Sequence, residues 1–156
     1  MRALDRFARR HERCRWDVCM LSRTTHIGVA DAPRPRVLVV DDEPLIRWSI
    51  AEALTENGYS VVEAGTGRDA VQEAAVSDRF NVIVLDLRLP DTDSLSLLDS
   101  LHQLAPRARI IMMTAHGTDE VAEEAHARGA YGFVHKPFEM SAMASLVTEA
   151  SRASVA

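Results

Sequence analysis

From residue 37 onward, short runs of apolar, mostly β-branched residues alternate with stretches in which apolar positions recur every three or four residues. The first kind reads as buried strand and the second as amphipathic helix. Residues 37–40 (Val-Leu-Val-Val) form the first such run, and Pro44 then opens a helix whose Ile46, Ile50 and Leu54 share a face and which Asn57-Gly58 ends. A strand at 60–64 and a turn at Gly65-Thr66-Gly67 lead to a helix over about 68–77, with Ala70, Val71, Ala74 and Ala75 inward. Residues 81–86 form a third strand, followed by a proline-bearing loop and a helix over 94–104 with Leu95, Leu98 and Leu101 inward. Pro106 breaks that helix, and the fourth strand spans 109–113. A small-residue helix at 119–128, closed by Gly129, precedes a fifth strand at 131–134. The last helix, about 139–152, presents Met140, Met143, Leu146 and Val147.

Five repeats of strand then helix predict an α/β chain: a doubly wound (βα)5 flavodoxin-like parallel sheet with strand order 2-1-3-4-5. Such sheets place their chemistry in the crevice beyond the carboxyl ends of the strands, at the point where strand order reverses. Four of the five strands end in reactive side chains: the first in Asp41-Asp42, the third in Asp86, the fourth in Thr114 and the fifth in Lys136. Under that order the first and third strand ends face each other.

Composition changes this picture only at the N-terminus. The length of 156 residues and a hydrophobic share of 47% suit one soluble domain. The net charge of −5 conceals a division. Residues 1–36 carry nine arginines against four acids, a net of +5, and the rest carries −10. The expected organisation is a basic, flexible extension over residues 1–35, whose end from Ser22, with Gly28, Asp31, Pro33 and Pro35, reads as a linker, and a domain over 36–156. Cys14 and Cys19, with His11 and His26 nearby, lack the paired spacing of a structural zinc site. With no membrane-length apolar run and no signal-peptide core, the expected location is cytoplasmic. Lys136 is the only lysine in a chain that otherwise uses arginine. That choice points to a need for an ammonium there.

Three carboxylates converging from two strand ends repel one another, and a hard divalent cation resolves the conflict. Few protein oxygens with open positions suit Mg2+, which keeps waters and favours phosphoryl oxygens. The Thr114 hydroxyl and the Lys136 ammonium would grip an anion beside the metal. Each residue has a plainer account: Asp41, Asp42 and Glu43 favour the positive end of the next helix, Thr114 caps a helix, and Lys136 is a solvated charge. Those accounts explain their joint placement badly. His116 and His135 flank the crevice, where solvated loop histidines are the simpler reading.

Four motifs then come into view: Val37-Leu38-Val39-Val40-Asp41-Asp42-Glu43-Pro44, Val84-Leu85-Asp86-Leu87-Arg88-Leu89-Pro90, Met113-Thr114-Ala115 and Phe133-Val134-His135-Lys136-Pro137-Phe138. Across about residues 36–153 the chain resembles the receiver domain of bacterial two-component response regulators. In particular it resembles receivers that precede ATPase-containing, nitrogen-regulation-type activators. The resemblance implies that Asp86 accepts a phosphoryl group from a histidine kinase or a histidine phosphotransfer protein. It implies Mg2+ on Asp42, Asp86 and the Arg88 backbone carbonyl, with Asp41 acting mainly through water. Lys136 would bridge to Asp86, and the Lys136-Pro137 bond would be cis, helping to aim it. Thr114 and Phe133 would form the switch pair, coupling the site to a surface of helix four, strand five and helix five that supports a phosphorylation-dependent homodimer.

Some residues depart from that pattern. Ser94 stands where many such domains have glycine, which predicts a stiffer or reshaped loop, and Phe133 replaces the commoner tyrosine. Arg88 and His116 border the path of an attacking water and are expected to set the lifetime of the aspartyl phosphate. The expected role is regulatory and non-enzymatic, a stand-alone receiver with no nucleic-acid or membrane contact of its own. One alternative is a receiver fragment of a DNA-binding transcription factor. Another is a Mg2+-dependent aspartyl-phosphate phosphotransferase or phosphatase, although Arg88 occupies the position where those enzymes put a second acid. A flavin carrier on the same fold would need a hydroxyl-rich first loop where this chain has Asp41-Asp42-Glu43.

Overall fold

A computed structural model describes residues 33–77, 79–115 and 118–154. Residues 1–32 of the basic segment, with its cysteines and histidines, and His116 lie outside the described residues. The body that carries the sheet is Arg34–Ala156.

The elements run β1 (Arg36–Val40), α1 (Pro44–Glu56), β2 (Ser60–Ala64), α2 (Gly67–Val76), β3 (Val82–Asp86), β4 (Arg88–Leu89), β5 (Thr92–Asp93), α3 (Ser94–Leu104), β6 (Arg109–Thr114), α4 (Asp119–Ala127), β7 (Gly132–His135) and α5 (Met140–Ser154). The main sheet is parallel with order β2-β1-β3-β6-β7, which is the expected 2-1-3-4-5 once the two short strands are numbered.

Successive side chains of a strand point to opposite faces, and here both faces are covered. Leu38, Val40, Ile83, Leu85, Ile110 and Met112 enter one core with Ala70 and Ala74 of α2 and Leu97, Leu98 and Leu101 of α3. Val37, Val39, Val82, Val84, Ile111 and Met113 enter the other with Ile50 and Leu54 of α1 and Met143 and Val147 of α5. Burial on both sides is why these strands read as continuous apolar runs rather than alternating ones. Their register brings Val40 beside Leu85 and Asp86 beside Met113, so β1 and β3 end at one level.

The structure corrects several details. Ala75 is exposed, while Leu97, absent from the predicted inner face of α3, is 3% exposed. α2 begins at Gly67, because Thr66 caps it by accepting the Asp69 N–H at 3.1 Å. β7 is shifted one residue toward the C-terminus and includes His135. The stretch after Asp86, expected as plain loop, is an antiparallel hairpin pairing Arg88 with Asp93 and Leu89 with Thr92. Two-residue strands are too short to leave a periodic signal in the sequence.

Candidate functional site

Asp41 follows β1 and is fully buried, while Asp42 and Glu43 beyond it are exposed. The Asp41 N–H still donates to the carbonyl of Ala64, so the sheet edge holds the backbone in place. Its Oδ1 accepts the N–H of Glu43 at 2.8 Å, where the chain turns into α1. One helical turn on, Arg47 donates to the carbonyl of Asp41 at 2.7 Å and pairs with Glu63 at 3.3 Å, tying α1 to the ends of β1 and β2.

Asp86 closes β3 at 4% exposure. Its Oδ1 accepts the N–H of Arg88 at 3.0 Å, and its backbone carbonyl accepts the Ser94 hydroxyl at 3.2 Å. Ser94 is thus the first residue of α3, buried and bonded to the backbone of Asp86, which explains how a serine takes a place often held by glycine.

Lys136 joins the two acids. Its Nζ donates to Asp41 Oδ2 at 2.8 Å and to Asp86 Oδ2 at 2.9 Å, and Glu43 lies at 3.8 Å. Burial works against the ammonium, but its hydrogen bonds to Asp41 and Asp86, with their negative charge, outweigh it and raise its pKa above the ordinary lysine value. The Lys136 N–H donates to the carbonyl of Thr114 at 2.7 Å, and the Lys136-Pro137 bond is cis. Thr114 is fully buried at the end of β6, in register with His135, an exposed strand residue rather than a loop one. Phe133 is half-buried against the first core, with its ring 5.7 Å from that of His135. The structure therefore brings Asp41, Asp42, Asp86, Lys136 and Thr114 to one edge of the sheet. Phe133 lies two residues before His135 on the neighbouring strand, and Arg88 is exposed at the start of the hairpin.

Oxygens from Asp41, Asp42 and Asp86 all lie within 4.8 Å of one another. Three carboxylates against one ammonium leave a formal surplus of two negative charges, and the set contains only hard oxygen donors. A divalent, oxygen-seeking cation such as Mg2+ fits both the charge and the donor type.

Three features went unseen in the sequence: the Asp41–Lys136 pair, the Arg47 staple and the role of Asp91. Asp91 sits at the tip of the hairpin, where its Oδ1 accepts the Gly67 N–H at 3.0 Å and its Oδ2 the Arg68 N–H at 3.1 Å. The Gly67 bond does most to hold its carboxyl below the ordinary 3.8, against a smaller opposing effect of burial. Only an acid at a proline turn marked it in the sequence, and that says nothing of a partner on another helix.

Comparison with known proteins agrees with this geometry. The model of the response regulator receiver domain matches residues 37–148. The DNA-binding transcriptional regulator NtrC of Escherichia coli K12 is 36% identical over 114 residues, covering 73% of this chain and 24% of NtrC, so the chain spans about a quarter of that relative's length. A solved response regulator from Burkholderia pseudomallei, with a phosphorylated aspartic acid, a calcium ion and citrate, is 30% identical at a TM-score of 0.69, covering 78% of this chain and 71% of that one. The beryllofluoride-activated NtrC4 receiver domain dimer is 36% identical at a TM-score of 0.72, covering 76% and 98%. Among the described residues no helix is long and apolar enough to cross a membrane. With its five-stranded sheet, its acid cluster and its lysine at the predicted edge, this chain belongs to the response regulator receiver domain family.

Proposed function

We propose that Asp86 accepts a phosphoryl group from the phosphohistidine of a histidine kinase or a histidine phosphotransfer protein. A carboxylate oxygen of Asp86 forms the new bond to phosphorus as the phosphorus–nitrogen bond breaks, and the departing imidazole keeps the electron pair and takes up a proton. Asp41, Asp42, Asp86 and the Arg88 carbonyl would hold Mg2+, which when bound offsets charge on the phosphoryl oxygens. Lys136 exchanges part of its grip on Asp86 for one on the phosphoryl group, and the Thr114 hydroxyl donates to it. Phe133 repacks in response, so that a local charge change reaches the surface of α4, β7 and α5.

The observation that carries this reading is the ammonium of Lys136 set 2.8 and 2.9 Å from two buried acids at adjoining strand ends. The solved relative with a phosphorylated aspartic acid supports it. The role is that of a regulatory phosphoacceptor working in the cytoplasm, with residues 36–156 as the receiver and residues 1–35 as a basic extension. Output runs through homodimerisation on α4, β7 and α5, a reading supported by the NtrC4 receiver dimer. A stand-alone receiver is the leading reading, and a receiver portion of a DNA-binding transcription factor such as NtrC is the compatible alternative.

The test is intact-mass measurement after incubating the full chain with Mg2+ and acetyl phosphate. Wild type gains one phosphoryl group, and Asp86→Asn and a chelator-treated sample gain none; a labelled Asp86→Asn overturns the reading. Continuous release of phosphate from phosphoesters at many turnovers would favour a phosphatase instead. Arg88→Ala and His116→Ala change the rate at which the phosphoryl group is lost; an unchanged rate in both removes their assignment as lifetime-setting residues. Light scattering with a fluoride phosphoryl mimic reads the output: a dimer only with Mg2+ and mimic, absent in Asp86→Asn, supports the homodimer. A monomer that binds the mimic assigns the output to a different partner.

A further inference from the structure

The hairpin after Asp86 is fastened at both ends, and only one fastening belongs to the acid cluster. At its base the Arg88 N–H and the Ser94 hydroxyl bond to the side chain and backbone of Asp86. At its tip Asp91 spreads its two carboxylate oxygens over the N–H groups of Gly67 and Arg68, the first two residues of α2. The contact is close as well as polar: a Cβ on Gly67 would collide with the Thr92 methyl group and crowd Leu97 at 3.2 Å. α2 already has its own cap in Thr66, so Asp91 adds a bond between elements rather than supplying a missing cap.

Two paired residues per strand cannot hold a hairpin in one place. Between Asp86 and α3 the chain has seven residues, and their path depends on where the tip is anchored. A carbonyl serving as a metal ligand must be placed to a fraction of an ångström, and Arg88 stands on the strand that this anchor positions.

We infer that Asp91 is a positioning residue for the cation site: hooked onto α2, it fixes the Arg88 backbone against Asp86 and so sets how tightly Mg2+ is held. The inference rests on the proposed cation site at Asp41, Asp42, Asp86 and the Arg88 carbonyl. The Asp91 hook reaches Arg88 through the hairpin, whereas the Thr66 cap bonds only within α2, so losing that cap should leave the cation untouched.

The test is calorimetric titration of the full chain with Mg2+, alongside thermal unfolding in chelator, for four variants. Asp91→Ala weakens Mg2+ binding by about tenfold, the low end of what outer partners of metal ligands are worth. Asp91→Asn, which keeps one acceptor oxygen, falls between Asp91→Ala and wild type. Thr66→Ala removes the cap of α2, lowers the unfolding midpoint and leaves Mg2+ affinity at the wild-type value. Gly67→Ala keeps Asp91 and gains helix propensity, yet wedges Thr92 away and weakens Mg2+ binding. Wild-type affinity in both Asp91→Ala and Gly67→Ala, beside a wild-type chain that binds, overturns the inference alone. A wild-type chain that takes up no Mg2+ overturns the cation site itself and the inference with it.

Discussion

The two halves of the sheet's C-terminal edge are built to different standards. On one side, β1 and β3 lead into buried acids, and α3 buries Leu97, Leu98, Leu101 and Ser94, the last bonded to the Asp86 backbone. On the other, α4 buries Ala125 alone, and no residue of β7 is fully buried. Surface ties hold that half instead: Arg128 reaches Asp99 at 2.7 Å and Glu124 at 2.8 Å, and the His102 ring lies 3.1 Å from the carbonyl of Gly129. Exposed ion pairs of this kind are weak fastenings. This contrast suits the proposed role, in which a charge is received on the well-packed side and reported by the less packed one.

The largest effect expected from breaking this contrast is at Lys136. Lys136→Ala leaves Asp41 and Asp86 facing each other without their cation, at a cost of about 3 kcal/mol, the low end for stranding buried charge. Chemical unfolding in chelator measures the loss, and adding Mg2+ restores a large part of it. The sign with pH follows from the raised pKa of Lys136. Its contribution is fully present below the ordinary lysine value of 10.5 and is lost only as pH climbs through the higher folded-state value.

Next comes packing. Leu98→Ala, at 0% exposure on α3, should cost about 2 to 3 kcal/mol, whereas Val121→Ala, half-buried on α4, should cost under about 1 kcal/mol. Equal losses in paired denaturation curves would erase the distinction between the halves.

A smaller effect separates them by acid. Asp93 is held below 3.8, first by the Ser96 hydroxyl and then by the Ser96 N–H, and Asp91 is lowered by Gly67 and Arg68. Carboxyls depressed in the fold add stability that is present above the ordinary value and lost as pH falls through the folded-state value. Protection from hydrogen exchange, taken relative to the intrinsic rate at each pH, should therefore fall at the starts of α2 and α3 below about pH 4, and Asp91→Asn and Asp93→Asn should blunt that response.

Much of this was legible because it is written locally. Continuous apolar runs revealed β1, β3 and β6, and the residues at their ends located the edge, because a buried parallel strand must stop where its polar residues start. The partner of Asp91 was not legible, since the Asp91–Gly67 bond joins positions 24 apart through a hairpin too short to have a period. The inward turn of Leu97 and the outward turn of Ala75 were hidden for a related reason: a helix lying across two neighbours buries a stripe set by its seating angle. Lys136 was conspicuous as the only lysine, but its attachment to Asp41 as well as Asp86 depended on the fold bringing positions 95 apart into contact.

The most direct measurement is amide hydrogen exchange on the full chain with Mg2+, with and without a beryllofluoride phosphoryl mimic, using Asp86→Asn as control. The account predicts changed protection along α4, β7 and the end of β6, little change in β1, β3 and α3, and none anywhere in the control. A mimic that binds yet alters α3 as much as α4, or alters neither, would contradict it.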